Sequence, residues 1–190
     1  MIRIDREAPA EAGARESLLD LCLGRRRRTK TSERLREGRL PAEGLSFSAR
    51  TKGGRLIGTV RLWRVSAGRE RPALLLGPLA VHPSHRNRGV GAALVRTAIE
   101  KAATLGHRAV LLVGDEPYYR RFGFSRLPAA HLRLPGPFER DRFLALELVP
   151  EALRDARGVV LAAGETASEA PEKSTEIAAK SLTSRVRRAS

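Results

Sequence analysis

The stretch Leu79-Ala80-Val81-His82-Pro83-Ser84-His85-Arg86-Asn87-Arg88-Gly89-Val90-Gly91 decides how this chain is read. Its first residues close a longer run, Ala73–Val81, that is nearly continuous in apolar side chains and fits a strand buried on both faces. Beyond it, apolar residues fall at positions 91, 94, 95, 98, 99, 102 and 105, which is helical spacing, while Arg96, Thr97, Glu100 and Lys101 face out. The stretch is therefore a strand, a loop and a helix start. Free backbone N–H groups and the helix dipole together favour a phosphate there. Gly89 and Gly91 let the backbone approach a pyrophosphate without a side chain in the way, and Arg86 and Arg88 add charge-assisted donors.

Three readings compete for such a loop. A Walker-type nucleotide loop ends in Gly-Lys-Ser/Thr, but Gly91 is followed by Ala92-Ala93, which excludes it. A dinucleotide fingerprint needs a third small residue and an acid further on; Leu94 and the sequence after it supply neither. The bland reading is a glycine turn that merely caps a helix.

Working outward, Gly77-Pro78 interrupts the apolar strand, and since proline cannot donate to a ladder this point predicts a bulge or a parting of neighbouring strands. Upstream, Ile2 and Ile4 alternate with polar residues as in a short strand, and a helix is predicted from Pro9 to about Leu23. A short second helix is predicted over Ser32–Gly38. Leu45–Thr51 and Arg55–Val65 read as strands joined at Gly53-Gly54. Downstream, Ala109–Val113 reads as a buried strand, a short helix follows at about Pro117–Phe122, and Phe143–Leu148 supplies a last strand. After Pro150 the chain turns polar, so residues 150–190 are expected to form a disordered tail, with a transient helix near Glu172–Leu182.

At 190 residues the chain has room for one domain and an appendage. The net charge of +15 points to nucleic acid, a membrane surface or an acidic ligand. Only Lys30, Lys52, Lys101, Lys173 and Lys180 are lysines, and such arginine-weighted usage also follows from coding bias in a GC-rich genome. The basic residues are scattered except for Arg25–Arg28 with Lys30. Cys22 is the only cysteine, which rules out an intrachain disulfide and a cysteine-based metal cluster. His82 and His85 lack further metal-ligand partners and read as loop residues, so no metal is expected. No apolar run spans a membrane and the N-terminus lacks a signal-peptide core, so a cytoplasmic protein is expected.

The order of these segments resembles the GNAT superfamily of N-acetyltransferases, in which Gln/Arg-x-x-Gly-x-Gly/Ala follows a strand ending in Val-x-Pro. Here Val81-His82-Pro83 precedes Arg86-Asn87-Arg88-Gly89-Val90-Gly91. Tyr119-Arg120-Arg121-Phe122-Gly123-Phe124 resembles the superfamily's Tyr-x-x-x-Gly-Phe, and Val113–Tyr119 with Phe143–Pro150 resembles its YhbS-like branch. The resemblance implies an α/β (α+β) fold over residues 1–149: a mixed central sheet of about six to seven strands flanked by about four helices, with splayed central parallel strands. It implies acetyl-CoA as co-substrate, its pantetheine arm along the main chain of Leu79, Ala80 and Val81, and its pyrophosphate on the amides of Arg86, Asn87, Arg88, Gly89, Val90, Gly91 and Ala92. It assigns to Tyr119 the protonation of the departing thiolate and treats Tyr118 as packing.

Many relatives carry a glutamate on the strand occupied here by Ala73–Val81, which has no carboxylate; Asp115 and Glu116 are the nearest candidates for a general base, and Asp115 also suits a helix cap. The expected activity is N-acetylation of a primary amine, on a small-molecule or protein acceptor, by direct attack, in a monomer or homodimer. The alternative is a nucleic-acid- or ribosome-associated protein on an idle scaffold, motivated by the charge; scarce aromatics argue against base stacking.

Overall fold

The alternating and apolar runs of the sequence become strands, and the computed structural model describes them over residues 2–167. In chain order the elements are β1 (Arg3–Arg6), α1 (Ala12–Leu23), β2 (Ser46–Arg50), β3 (Leu56–Ser66), β4 (Pro72–Val81), α2 (Val90–Thr104), β5 (Ala109–Val113), α3 (Glu116–Tyr119), β6 (Leu132–Arg133), β7 (Phe143–Glu147), β8 (Gly158–Val159) and β9 (Leu161–Ala162). The main sheet runs β1-β2-β3-β4-β5-β7, and β9 adds a third partner to β3. Only β4 and β5 are parallel; every other pair in this sheet is antiparallel. That single parallel pair needs a crossover, and α2 provides it.

Each sheet face carries its own core. On one, Val90, Leu94, Val95, Ala98 and Ala102 of α2 pack on Ile57, Val60, Leu74, Leu76, Val110 and Leu112. Leu94, Val95, Ala98 and Ala102 are four of the positions predicted from the spacing; Val90 joins them unpredicted, whereas Leu105, expected to join them, is exposed just past the helix. On the other face Trp63, Val65, Leu75, Leu111 and Phe143 form a second core. Burying two faces accounts for strands β4 and β5 being apolar at nearly every position.

Two expectations are corrected. The second helix predicted at Ser32–Gly38 is a single 3-10 turn, Thr31–Leu35, so the described residues hold three α-helices. The segment has one apolar side chain, Leu35, and no stripe to bury over two turns; the turn wedges Leu35 into the second core at 2% exposure. The folded unit also does not end at 149. Ala152, Leu153, Ala156 and Val160 are buried in the second core, Leu161 and Ala162 pair with Ser66 and Val65, and Leu132 and Arg133 pair with Gly158 and Val159. Sparse small apolar residues without helical or strand period carry this segment, so its composition reads as a tail although it packs. The expected disorder and transient helix beyond this point lie outside the described residues.

Candidate active site

The site begins where β4 and β5 separate. Their ladder pairs Leu74 with Val110 and Leu75 with Leu111, and then β4 leaves. Opposite β3, Leu62 pairs with Leu76 and Val60 with Leu79, so Gly77 and Pro78 together face Arg61 as a bulge. Trp63 holds it, its indole N–H donating to the Gly77 carbonyl at 2.6 Å. The interruption predicted at Gly77-Pro78 is thus both a bulge and a parting of strands.

The phase of the ladder decides which main-chain groups face the gap. His82 N–H donates to the Ile57 carbonyl at 2.8 Å, and alternation along an antiparallel pair then puts Ala80 and Thr59 on the ladder. Leu79 and Val81 consequently aim their N–H and C=O groups away from β3, into the gap. Ala80, expected beside them as a contact residue, spends its main chain on Thr59 instead. The Val81 carbonyl is already approached by the Cys22 thiol at 3.3 Å and by Arg86 Nε at 3.4 Å.

After Val81, a 3-10 turn at Pro83–His85 leads to the loop that starts α2. Arg86 N–H donates to Pro83 O at 3.3 Å, and the first helical bond runs from Ala93 N–H to Gly89 O at 2.9 Å. Between them, the amides of Asn87, Arg88, Gly89, Val90, Gly91 and Ala92 have no acceptor among the described residues. That leaves six consecutive donors at the N-terminus of a helix, one fewer than expected because the Arg86 amide is engaged. Gly89 caps the helix at φ 77°, a left-handed conformation, with open space where a side chain would be. At Gly91 a Cβ would stand 2.9 Å from the Tyr118 hydroxyl and 3.5 Å from Val81 Cγ2. At Gly91, β4, α2 and Tyr118 therefore come into near contact, and a side chain there would have to push them apart.

Tyr118 and Tyr119 sit on the short α3, whose start is Asp115. Their rings meet edge to face at 4.9 Å, and Tyr118 is stacked under the Arg121 guanidinium at 4.3 Å. Tyr119 is packed over Gly114 and against Phe122 and Phe124, and its hydroxyl has no hydrogen-bond partner among the described residues. Burial, reinforced by Tyr118 and Asp115 and opposed by Arg142, pushes the Tyr119 hydroxyl well above the ordinary tyrosine range. Asp115, 75% exposed at its side chain, makes no side-chain cap; Arg142 Nε lies 3.2 Å from its Oδ1. Glu116 pairs loosely with Arg120 at 3.9 Å and faces away from the cavity lining.

These pieces enclose one cavity of about 930 Å³, with Arg86 at one end, Leu76 to Leu79 along its floor, and Asp115, Tyr118 and Tyr119 on one wall. Two further segments line it, residues 29–36, which overlap the helix predicted at 32–38, and residues 134–142. Arg34 Nη1 donates to Pro135 O at 2.9 Å and the Thr31 hydroxyl donates to Pro137 O, joining the loops. They bring Glu33, Arg36, Glu139 and Arg142 to the lining. In the basic run, Arg27 turns inward onto Glu16 and Asp20 while Arg28 stays exposed, so Arg27 braces the cavity wall rather than projecting into solvent. No helix among the described residues is long and apolar enough to cross a membrane.

Residues 15–124 match the Acetyltransferase (GNAT) family. The chain is 29% identical over 161 residues to a protein named uncharacterized N-acetyltransferase YhbS from Escherichia coli K12, a match that covers 84% of this chain and 94% of that one. A second E. coli K12 protein, named uncharacterized N-acetyltransferase YjhQ, is 37% identical over 84 residues, 43% of this chain and 46% of the other. Among solved structures, E. coli YhbS in complex with CoA superposes with a TM-score of 0.70 at 28% identity, covering 86% of this chain and 89% of that one. A GNAT family acetyltransferase from Brucella melitensis, at 24% identity and a TM-score of 0.64, shares the fold over 88% of this chain and 97% of its own.

Proposed function

The chain belongs to the Acetyltransferase (GNAT) family, and from that premise we propose that it transfers an acetyl group from acetyl-CoA to a primary amine by direct attack in the cavity between β4 and β5. The observation that carries this reading is the run of unpartnered amides from Asn87 to Ala92, opening beside a parted parallel strand pair. When bound, acetyl-CoA supplies an acetyl group already activated as a thioester.

The chain's own groups do the rest. The amides of Asn87 to Ala92 and the guanidinium groups of Arg86 and Arg88 hold the pyrophosphate. The outward-facing main chain of Leu79 and Val81 takes up the extended arm as an added strand, and Leu79 N–H polarises the thioester carbonyl; Pro78, which has no N–H, cannot. An alkyl ammonium with a pKa of about 10 must lose a proton before it attacks. Asp115 accepts that proton, through water, with Arg142 orienting its carboxylate. Tyr119 stays protonated because burial raises its hydroxyl; it gives that proton to the sulfur that leaves and is reprotonated by the second proton the nitrogen sheds as the amide forms.

Release of free thiol from acetyl-CoA, measured over pooled amine, peptide and protein acceptors, tests the proposal. The expected result is acceptor-dependent release that Tyr119→Phe lowers by about tenfold or more. Absence of acceptor-dependent release from every pool would contradict it.

A further inference from the structure

Among the residues that line the cavity, Arg36 keeps one guanidinium nitrogen without a partner. Arg36 is 8% exposed at its side chain. Its Nε donates to Ser32 O at 3.1 Å and its Nη2 to Ser32 Oγ at 2.8 Å, with Glu33 Oε2 3.5 Å from Nη2. Its Nη1 is buried and has no partner among the described residues. Arg36 lines the cavity beside the β4 bulge, and the point where a Gly77 Cβ would sit is 3.9 Å from Arg36 Nη1 and 3.9 Å from Leu79 N.

A buried guanidinium N–H without an acceptor loses its hydration and gains nothing in return. The neighbouring charges do not relieve it. Arg27 is engaged by Glu16 and Asp20, Arg142 pairs with Asp115 and Glu139 by charge although its buried Nε makes no hydrogen bond, and Glu33 reaches only the other nitrogen of Arg36. Burial pulls the Arg36 guanidinium below its ordinary value, Glu33 offsets this in part, and Arg27 adds to it. An anion in the cavity would complete the group.

Resting on the acetyl-transfer reading above, we propose that Arg36 Nη1 is a carboxylate-binding group for the acceptor, so that the substrate is an amine that also bears a carboxylate. The second anion-binding place is separate from the first: the cradle at Arg86–Ala92 serves the pyrophosphate, whereas Arg36 sits beside the Gly77 bulge, on the 29–36 segment of the cavity lining. A carboxylate seated there brings its own amine toward Leu79 N and the Asp115 wall.

The test pairs amino acids with the amines that lack only their carboxyl group, such as L-phenylalanine with 2-phenylethylamine and L-leucine with 3-methylbutylamine. Extended to β- and γ-amino acids, the set covers different spacings between amine and carboxylate. The expected ratio of kcat/KM, carboxylated over matched amine, is about tenfold or more for at least one spacing, and Arg36→Met brings that ratio close to one. Trp63, the only tryptophan, bonds the bulge beside Arg36 and reports binding directly. Its fluorescence in the acetyl-CoA-loaded protein should respond saturably to the preferred amino acid in the wild type and in Arg36→Lys, and far more weakly to the matched amine. Equal ratios in the wild type, or a ratio that survives Arg36→Met in a protein with an unshifted melt, would overturn the carboxylate assignment while leaving acetyl transfer standing. Loss of thiol release with every acceptor, together with a melt indifferent to acetyl-CoA, would instead bring down the acetyl-transfer reading itself.

Discussion

The Tyr119 ring rests on Gly114, so closely that a Cβ on residue 114 would fall 2.2 Å from Tyr119 Cε2 and 2.8 Å from its Cδ2. The end of β5 thereby sets the position of the hydroxyl assigned to hold a proton. Gly114→Ala has to displace that ring, and overpacking of this kind costs about 1–3 kcal/mol. The variant is expected to lose about tenfold or more in kcat with a smaller change in the KM for acetyl-CoA, as measured by initial rates. A variant with both parameters intact would show that Tyr119 is not held for catalysis.

The contact between Gly91 and Tyr118 makes a paired prediction. Gly91→Ala forces its new methyl against the Tyr118 hydroxyl, whereas Tyr118→Phe removes that oxygen. The double variant should therefore bind acetyl-CoA more tightly than Gly91→Ala alone, a positive coupling of about 1 kcal/mol in a double-mutant cycle. Additive effects would mean that the two residues do not share the floor of the cradle.

Much of this site is legible in the sequence because its decisive parts are local. The Arg86–Gly91 loop, the Gly77-Pro78 interruption and the stripe of α2 each declare themselves within a few residues, and the structure realises each of them. Arg36, Glu33 and Glu139 do not declare themselves. They reach the cavity because residues 29–36 and 134–142 meet, through bonds such as Arg34 to Pro135 O across 101 residues, and no local pattern encodes that meeting. Tyr118 was read as packing, and it does pack; its place under Gly91 follows from the approach of α3 to α2, which only the fold reveals.

The segment after 149 gives a third prediction. A chain ending at 149 loses Ala152, Leu153, Ala156 and Val160 from the second core and β9 from the sheet. Large-to-nothing deletions of this kind cost several kcal/mol, so its melt should fall by about 10 °C or more below that of a chain ending at 167. Calorimetry of both truncations decides where the domain ends.

Acid stability supplies a fourth. Burial works against the Glu11 carboxylate, but bonds from Arg50, Ala8 N–H and the Ser48 hydroxyl outweigh it and hold it below its ordinary value of 4.5. A depressed carboxylate contributes stability that is present above its unfolded value and lost as pH falls through the folded one. The melt should drop below about pH 4.5, and Glu11→Gln should flatten that drop while lowering the melt at pH 7. An identical acid slope in wild type and variant would remove Glu11 from the account.

The central claim is that the amides from Asn87 to Ala92 form the pyrophosphate seat of an acetyl-CoA site, and calorimetric titration of acetyl-CoA tests it most directly. The account predicts saturable binding of one molecule per chain, weakened by about tenfold or more in Gly91→Val, whose side chain collides with Tyr118 and Val81 and displaces the loop. A wild-type protein that takes up no acetyl-CoA at millimolar concentration, or a Gly91→Val variant that binds it equally well, would contradict it.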